Sequence, residues 1–372
     1  MKIEDLALQR NKYKHLSDDE WRWFLQQVEG KERTADKLPS FAAIEDWWYP
    51  VRLSCEQCSS ELAARYKASL VESQNGTEPV ESHFVDLTGG YGVDTYFLSE
   101  NFVHTDYVEQ NAELCRIAEH NFSIQKSAIS IQNCTAEDFL TSAGQYDLIF
   151  LDPARRDSHG GKVFRLEDCT PNVVELLPTL LQHGKRILLK LSPMLDLTQA
   201  IKELSAVSLQ WSVYVVAIKN EVKEVLLLSG GSGQITAIDL DKKDQAFVFS
   251  KEEEGKANFK YQISNFKFIY EPNAAILKAG AYKLIAERFG LSKLDVNTHL
   301  YGSEELVPNF PGRVWKIVEK QDLKQANVLC RNYPLTPEAL KKKLHLRDGG
   351  TAFVIGCRVN GKPTLFFAER IA

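Results

Sequence analysis

From residue 83 the chain changes rhythm. Short apolar runs at 84–87, 106–108, 129–131, 148–151, 187–191, 213–218 and 225–228 alternate with stretches whose apolar residues recur at helical spacing, such as 112–121 and 173–181. Strands interleaved with helices predict a mostly parallel sheet covered by helices on both faces. Only residues 219–224 separate the last two runs, too few for a helical crossover, so these strands are expected to pair antiparallel at one edge of the sheet.

Upstream, residues 1–75 read as helical. Ser17 with Glu20 three residues on has the form of a capping box ahead of Trp21, Phe24, Leu25 and Val28. A second helix is expected over 55–71, with no Gly or Pro inside it, and the polar stretch 73–79 reads as a break. Downstream, Gly230, Gly231 and Gly233 close the alternating region, and 234–260 looks like a charged, hairpin-like connection. A helix over 274–289 then opens a smaller α+β section. Beyond Gly312 two strands flank the basic helix 337–344, and an Asp348-Gly349-Gly350 turn leads to a final strand pair. The expected divisions are 1–75, 76–235, 265–312 and 313–372.

Length and composition change this picture only at two points. The chain has 372 residues and seven Cys, an odd and small number that suits reduced thiols better than a disulfide framework. No apolar run of membrane-spanning length and no signal peptide are visible, so a cytoplasmic protein without membrane partners is expected. The net charge of −5 is unevenly spread: residues 313–372 hold 12 Lys+Arg against 5 Asp+Glu, a local +7, while the rest carries −12. Such asymmetry points to a polyanion-facing module, and Lys341, Lys342, Lys343, Arg347 and Arg331 are the first candidate contacts. Charge alone does not separate this from a solvated basic surface. Cys55 and Cys58 stand without a second pair at zinc spacing, and the eight His are scattered, so no structural metal is expected.

Candidate chemistry gathers at strand ends. The first central strand ends in Asp86 and runs into Thr88-Gly89-Gly90-Tyr91-Gly92 ahead of a helix. Glycine permits positive φ and lets a ligand approach the backbone. The spacing is not the G-x-G-x-x-G of nicotinamide enzymes. Its acid precedes the glycines, where a cationic amino-acid portion can meet it. This loop resembles the D/E-x-G-x-G-x-G loop of class I methyltransferases, with Thr88 in place of the first glycine. The next strand ends in Glu109 followed by Gln110, 23 residues after Asp86, a position from which a carboxylate can accept ribose hydroxyls. After the third strand, Thr135, Ala136, Glu137 and Asp138 occupy the place where such enzymes recognise adenine.

The fourth strand delivers Asp152-Pro153-Ala154-Arg155-Arg156. The position resembles the methyltransferase motif D/N-P-P-Y/F or D-P-P-R. No aromatic follows Pro153 and no Cys lies near Lys190-Leu191-Ser192-Pro193, which disfavours the base-stacking amino type and covalent carbon-5 chemistry. Asp152 can orient an acceptor atom, Pro153 stiffens the turn, and Arg155 and Arg156 can hold an acceptor's phosphate or carboxylate. Asp152, Lys190 and Glu224 at sheet edges, with Lys67 from the N-terminal helices, also resemble the Lys-Asp-Lys-Glu set of ribose 2′-O-methyltransferases.

Taken together, the segments Glu56–Glu61, 64–68, Asp86–Asp94, 151–156, 190–193, 220–224, 271–280, Asn332-Tyr333-Pro334-Leu335 and 348–350 resemble bacterial class I methyltransferases with a THUMP-like C-terminal domain and a ferredoxin-like insert. The resemblance covers nearly the whole chain. It implies an α/β fold with a Rossmann-like sheet carrying an antiparallel edge strand, an N-terminal helical region and small C-terminal α+β domains. It also implies S-adenosyl-L-methionine as cofactor, held by Asp86, Thr88, Gly89, Gly90, Gly92, Glu109, Gln110, Ala136, Glu137, Asp152 and Pro153. Catalytic roles fall to Asp152 and Lys190, and acceptor binding to Arg155, Arg156, Lys341, Lys342, Lys343 and Arg347, with RNA as partner. Methylation of a small molecule or protein, and RNA binding without catalysis, are the alternatives, since fold alone excludes neither.

Overall fold

Local sequence signals set the first elements of the computed structural model. It describes residues 3, 6, 9–72, 81–125, 128–155, 165–204, 209–259, 265–320 and 322–371, with the side chains of Arg155, Lys243 and Asp244 left aside. Ser17 accepts from the Glu20 backbone N–H while the Glu20 carboxylate accepts from Ser17 N at 2.7 Å, so the capping box starts the helix Asp18–Thr34. The helix expected over 55–71 is two helices, Arg52–Gln57 and Glu61–Val71. Cys58 leaves helical geometry with ψ 160°, and Ser60 caps the second helix through Ala63 N. A serine that can satisfy an orphan N–H breaks a run that apolar spacing alone reads as continuous.

Strands β1 (His83–Asp86), β2 (His104–Val108), β3 (Ile129–Gln132), β4 (Tyr146–Leu151) and β7 (Gly184–Leu191) follow the predicted runs. They lie parallel, β1 between β2 and β4, with β3 beyond β2 and β7 beyond β4. The two-residue strands β5 (Ala154–Arg155) and β6 (Cys169–Thr170) pair antiparallel after β4. Helices Val93–Ser99, Ala112–Ile124, Ala136–Leu140 and Val173–His183 connect the strands. Strands β8 (Trp211–Ile218) and β9 (Glu221–Ser229) are joined by Lys219 and Asn220, both at positive φ (53° and 60°), as a two-residue hairpin turn requires.

That hairpin is not the edge of the sheet. Within 234–260, expected as a charged, hairpin-like connection, Ile235–Asp239 forms β10 parallel to β8, and Phe247–Phe249 forms β11 antiparallel to β10. Ile235, Ala237, Phe247 and Phe249 are all buried, a period-two pattern short enough to be hidden among the surrounding charges. The mixed sheet has nine strands in the order β11-β10-β8-β9-β7-β4-β1-β2-β3.

The C-terminal sheet is built from β12 (Phe268–Pro272), β13 (Ser292–Asp295), β14 (Thr298–Ser303), β15 (Gly312–Val318), β16 (Asn327–Arg331), β17 (Ala352–Val359) and β18 (Lys362–Arg370). Its order is β13-β14-β12-β15-β18-β17-β16, antiparallel except for β16 on β17. The helix expected over 274–289 is interrupted: Ala274–Ala279 ends at Gly280, whose φ of 84° only glycine adopts cheaply, and Leu284–Arg288 follows. The basic helix spans Pro337–Lys343 and is capped by Thr336.

By its internal packing the chain divides into two units, Met1–Leu209 with Leu227–Gly230, and Gln210–Leu226 with Gly231–Ala372. In the first, Leu38, Phe41, Trp47, Tyr49 and Cys55 from the N-terminal segment share one buried cluster with Tyr91, Val93, Phe97 and Ile117. In the second, Ile269, Leu300, Trp315, Ile355 and Cys357 form the heart of the seven-stranded sheet. No helix among the described residues is long and apolar enough to cross a membrane.

Candidate active site

The turn after β1 is held from below by a buried carboxylate. Asp86 is 1% exposed; its Oδ1 accepts from Thr88 N at 2.9 Å and its Oδ2 from the Thr95 hydroxyl at 2.6 Å. Burial pushes its carboxyl up to about 7, against the pull of the Thr95 and Thr88 hydrogen bonds. Asp86 is therefore turned into the loop rather than presented above it. Thr88, the departure from the glycine pattern, accepts from Asp152 N at 2.7 Å through its hydroxyl oxygen. A glycine there has no such oxygen. This threonine stitches the turn after β1 to the turn after β4.

Each glycine of the loop has its own reason. A Cβ on Gly89 would lie 2.2 Å from the ring of Tyr107, and one on Gly92 would lie 2.8 Å from Phe122. Gly90 differs: at φ +57° its Cβ would meet only the Thr88 carbonyl, at 3.7 Å. The Gly90 carbonyl accepts from the Tyr107 hydroxyl at 2.6 Å, and its N–H donates to Glu109 Oε2 at 2.9 Å. The other Glu109 oxygen accepts from Asn111 N at 2.8 Å. Glu109 is thus fixed beside the loop but half-buried, with lone pairs left to accept hydroxyls, and Gln110 next to it is exposed. After β3, Thr135 caps the helix Ala136–Leu140, its hydroxyl accepting from Asp138 N at 3.1 Å. Ala136 is buried and Glu137 is exposed.

The second cluster is ionic and mostly buried. Lys190, at the end of β7, pairs with Asp152 Oδ2 and lies 3.6 Å from Asp94 Oδ2. Asp94, in the first turn of the helix after the glycine loop, also receives Lys67 at 3.1 Å and the Ser59 hydroxyl at 2.7 Å. Lys67 in turn donates to Ser59 Oγ at 3.1 Å and is fully buried. Burial would raise the Asp94 carboxyl, but Lys67 and Lys190 outweigh it and hold the group below its ordinary value. Asp152 itself keeps 39% of its side chain exposed, so the chain Lys67–Ser59–Asp94–Lys190–Asp152 runs from the interior to an accessible carboxylate.

Strand-end motifs in the sequence brought out Asp86, Glu109 and Asp152, and the resemblance to the Lys-Asp-Lys-Glu set brought out Lys190 and Lys67. Both missed Asp94 and Ser59, whose partners come from three separate segments; Asp94 stood in the glycine-loop motif as its last letter and drew no notice. Pro153 is half-buried beside Asp152. Only the backbone of Arg155 is described, in β5, and Arg156 lies outside the described residues. Glu224 is buried on β9.

The basic candidates are unequal. Arg331 Nε donates to Glu271 Oε1 at 2.5 Å, and Arg313 pairs with the other oxygen of this nearly buried carboxylate. Lys341 pairs with Asp348 at 2.8 Å. Lys342, Lys343 and Arg347 are exposed.

Comparisons with known proteins identify the relatives of this chain. Residues 268–311 match a ferredoxin-like domain family, and residues 302–370 match a THUMP domain-like family. A proposed methyltransferase of known structure from Porphyromonas gingivalis W83 is 32% identical, with a TM-score of 0.84 over 96% of this chain and 92% of that one. Uncharacterized S-adenosylmethionine-dependent methyltransferases from two strains of Mycobacterium tuberculosis, CDC 1551 / Oshkosh and ATCC 25618 / H37Rv, are 23% identical over 356 residues, 91% of this chain and 92% of theirs. The open face of Gly90 and the partly exposed Glu109 at its side suit a small ligand carrying a ribose, so the residues present fit the cofactor of these relatives. The chain belongs to the family of S-adenosylmethionine-dependent methyltransferases with ferredoxin-like and THUMP-like C-terminal domains.

Proposed function

We propose that this enzyme methylates RNA, with Asp152 positioning the acceptor atom. The observation that carries the reading is the partly exposed Asp152, locked by Lys190 on one side and by the Thr88 hydroxyl on its backbone, at the exit of the strand beside the glycine loop. Bound S-adenosylmethionine supplies an electrophilic methyl group on a sulfonium. The protein's own work is placement, and orientation alone can account for several powers of ten in rate. Glu109 and the backbone of 89–92 hold the cofactor's ribose and tail. Asp152 accepts from the acceptor, and Lys190 keeps that carboxylate in one orientation. The THUMP-like match and the local +7 of residues 313–372 support RNA over a small molecule or protein as the acceptor. The exposed Lys342, Lys343 and Arg347 make the first phosphate contacts, with Lys341 exchanging Asp348 for RNA.

The position of Lys67 favours one refinement, a ribose hydroxyl as acceptor. Lys67 and Lys190 share Asp94, and with the partly exposed Asp152 they form the Lys-Asp-Lys part of the set noted in the sequence. Placed between Asp94 and Asp152, Lys190 serves as a donor and positioning residue, and Asp152 takes the acceptor's proton.

Nucleoside mass spectrometry of RNA from a strain lacking this chain tests the proposal. One methylated nucleoside is expected to be missing and to return on complementation, as a 2′-O-methyl nucleoside under the refinement. An unchanged nucleoside profile contradicts an RNA substrate. Changing Lys341, Lys342 and Lys343 together to Glu is expected to weaken RNA binding across sequences and flatten its salt dependence by roughly one unit of slope per lost phosphate contact. Filter binding at several salt concentrations reads this; an unchanged slope removes the basic helix from the model of binding.

A further inference from the structure

Besides Glu109, the glycine loop is gripped through Tyr91 by a segment that no cofactor motif includes. Trp47 Nε1 donates to the Tyr91 hydroxyl at 2.9 Å, and that hydroxyl donates to the Trp48 carbonyl at 3.3 Å. Trp47 and Tyr91 are each 5% exposed. The same short segment is fastened to the helix that follows Glu109. Asn121, 1% exposed, accepts from Trp48 N at 2.8 Å and donates to Trp48 O at 2.9 Å, closing both backbone groups of one residue. The Asp46 carbonyl, on a residue held at φ +59°, meets His120 Nε2 at 2.8 Å. The Trp48 ring stacks on His120 at 3.6 Å, and the Arg116 guanidinium lies over both Trp48 and Trp23, at 4.8 and 4.6 Å.

We propose that residues 46–49 brace the cofactor site, and that Tyr91, Trp47 and Asn121 are positioning residues for S-adenosylmethionine. The inference rests on the reading that the cofactor lies over the turn after β1. Two of the four residues 89–92 are glycines at positive φ, and such a loop is costly to order at the moment of binding. Tyr107 and Glu109 hold it on the β2 side through Gly90. Tyr91 holds it as well, by an anchor in the aromatic cluster of Phe41, Trp47 and Phe97. Because the brace also grips the helix after Glu109, it fixes the glycine loop and the ribose carboxylate relative to each other. Pre-ordering both lowers the cost of binding without touching the ligand. A buried hydroxyl and a buried indole N–H paired with each other are polar groups that mere packing does not require; a Phe at position 91 would fill nearly the same volume without the hydroxyl.

Tyr91→Phe and Trp47→Phe in the full chain test this. Each keeps an aromatic ring and removes one side of the hydrogen bond. Titration calorimetry with S-adenosylmethionine and S-adenosylhomocysteine is expected to show about tenfold weaker binding for each, with faster amide exchange at 89–92. The midpoint of urea unfolding is read alongside. Weaker binding with an unfolding midpoint near that of the parent supports the brace. Parent-like affinity in Tyr91→Phe, the milder change, overturns it even where Trp47→Phe, which opens a cavity, folds poorly. If the parent chain binds neither ligand, the cofactor reading fails instead, so the two failures are distinct. The brace also places Trp47 and Trp48 next to the loop, and cofactor binding is expected to change tryptophan emission in the parent and less so in Trp47→Phe.

Discussion

A single hydroxyl explains how this loop departs from its family pattern. Thr88 stands in place of the first glycine of the class I methyltransferase motif that this loop resembles, and its oxygen satisfies the Asp152 backbone N–H. Thr88→Val keeps the shape but orphans that donor, and is expected to cost about 1–3 kcal/mol in urea unfolding; a change within about 0.5 kcal/mol contradicts the stitch. Asp86 gives a prediction in pH. Its carboxyl is raised to about 7 by burial, and carries the repulsion of Asp94 and Asp152 besides. A raised acid favours the protonated form in the folded chain, so its stabilising contribution is complete below about pH 4 and is lost as pH rises toward 7. Asp94 has the opposite sign: its lowered carboxyl contributes above its unfolded value and is lost only in stronger acid. Asp86→Asn is expected to remove the decline between about pH 4 and 7, read as unfolding free energy across that range. A decline of the same size in the variant would place its origin elsewhere.

At the scale of elements, the site is a pair of strand exits held together by ion pairs that sequence spacing does not show. The strands that carry Asp86, Glu109, Asp152 and Lys190 were legible because parallel, doubly covered strands are nearly continuous apolar runs. The stretch 234–260 was legible only as a charged, hairpin-like connection: β10 and β11 do pair antiparallel, but strands of three to five residues among charges gave no sign that β10 joins the central sheet beside β8. Two long helices were overdrawn for the converse reason: apolar periodicity continues across Ser60 and Gly280 although a cap and a left-handed residue end the hydrogen bonding. Asp94 was invisible as a site residue, since its meaning lies in Lys67, 27 positions before it, and Lys190, 96 after it. Lys67→Met deprives a buried carboxylate of its closer cation and is expected to destabilise the chain by about 3–5 kcal/mol. A loss under about 1 kcal/mol would mean that Lys190 and Ser59 alone satisfy Asp94. Gly89→Ala drives a methyl into the fully buried Tyr107 ring and is expected to cost about 1–3 kcal/mol together with cofactor affinity.

At the scale of the whole molecule, charge is unevenly divided along the chain. The cofactor-binding part lies in the acidic majority of the sequence, and the THUMP-like segment holds the basic excess. Composition showed this division, but not which cations are available, because Arg331 and Lys341 are engaged by Glu271 and Asp348. The enzyme is proposed to use S-adenosylmethionine to methylate RNA whose acceptor atom is positioned by the Asp152 carboxylate. Methyl transfer from labelled S-adenosylmethionine to RNA isolated from a strain without the chain tests it most directly. The purified enzyme is expected to label that RNA, and Asp152→Ala to lower the rate at least a hundredfold while still binding the cofactor. Label that never enters RNA, or enters equally with Asp152→Ala, would contradict the account.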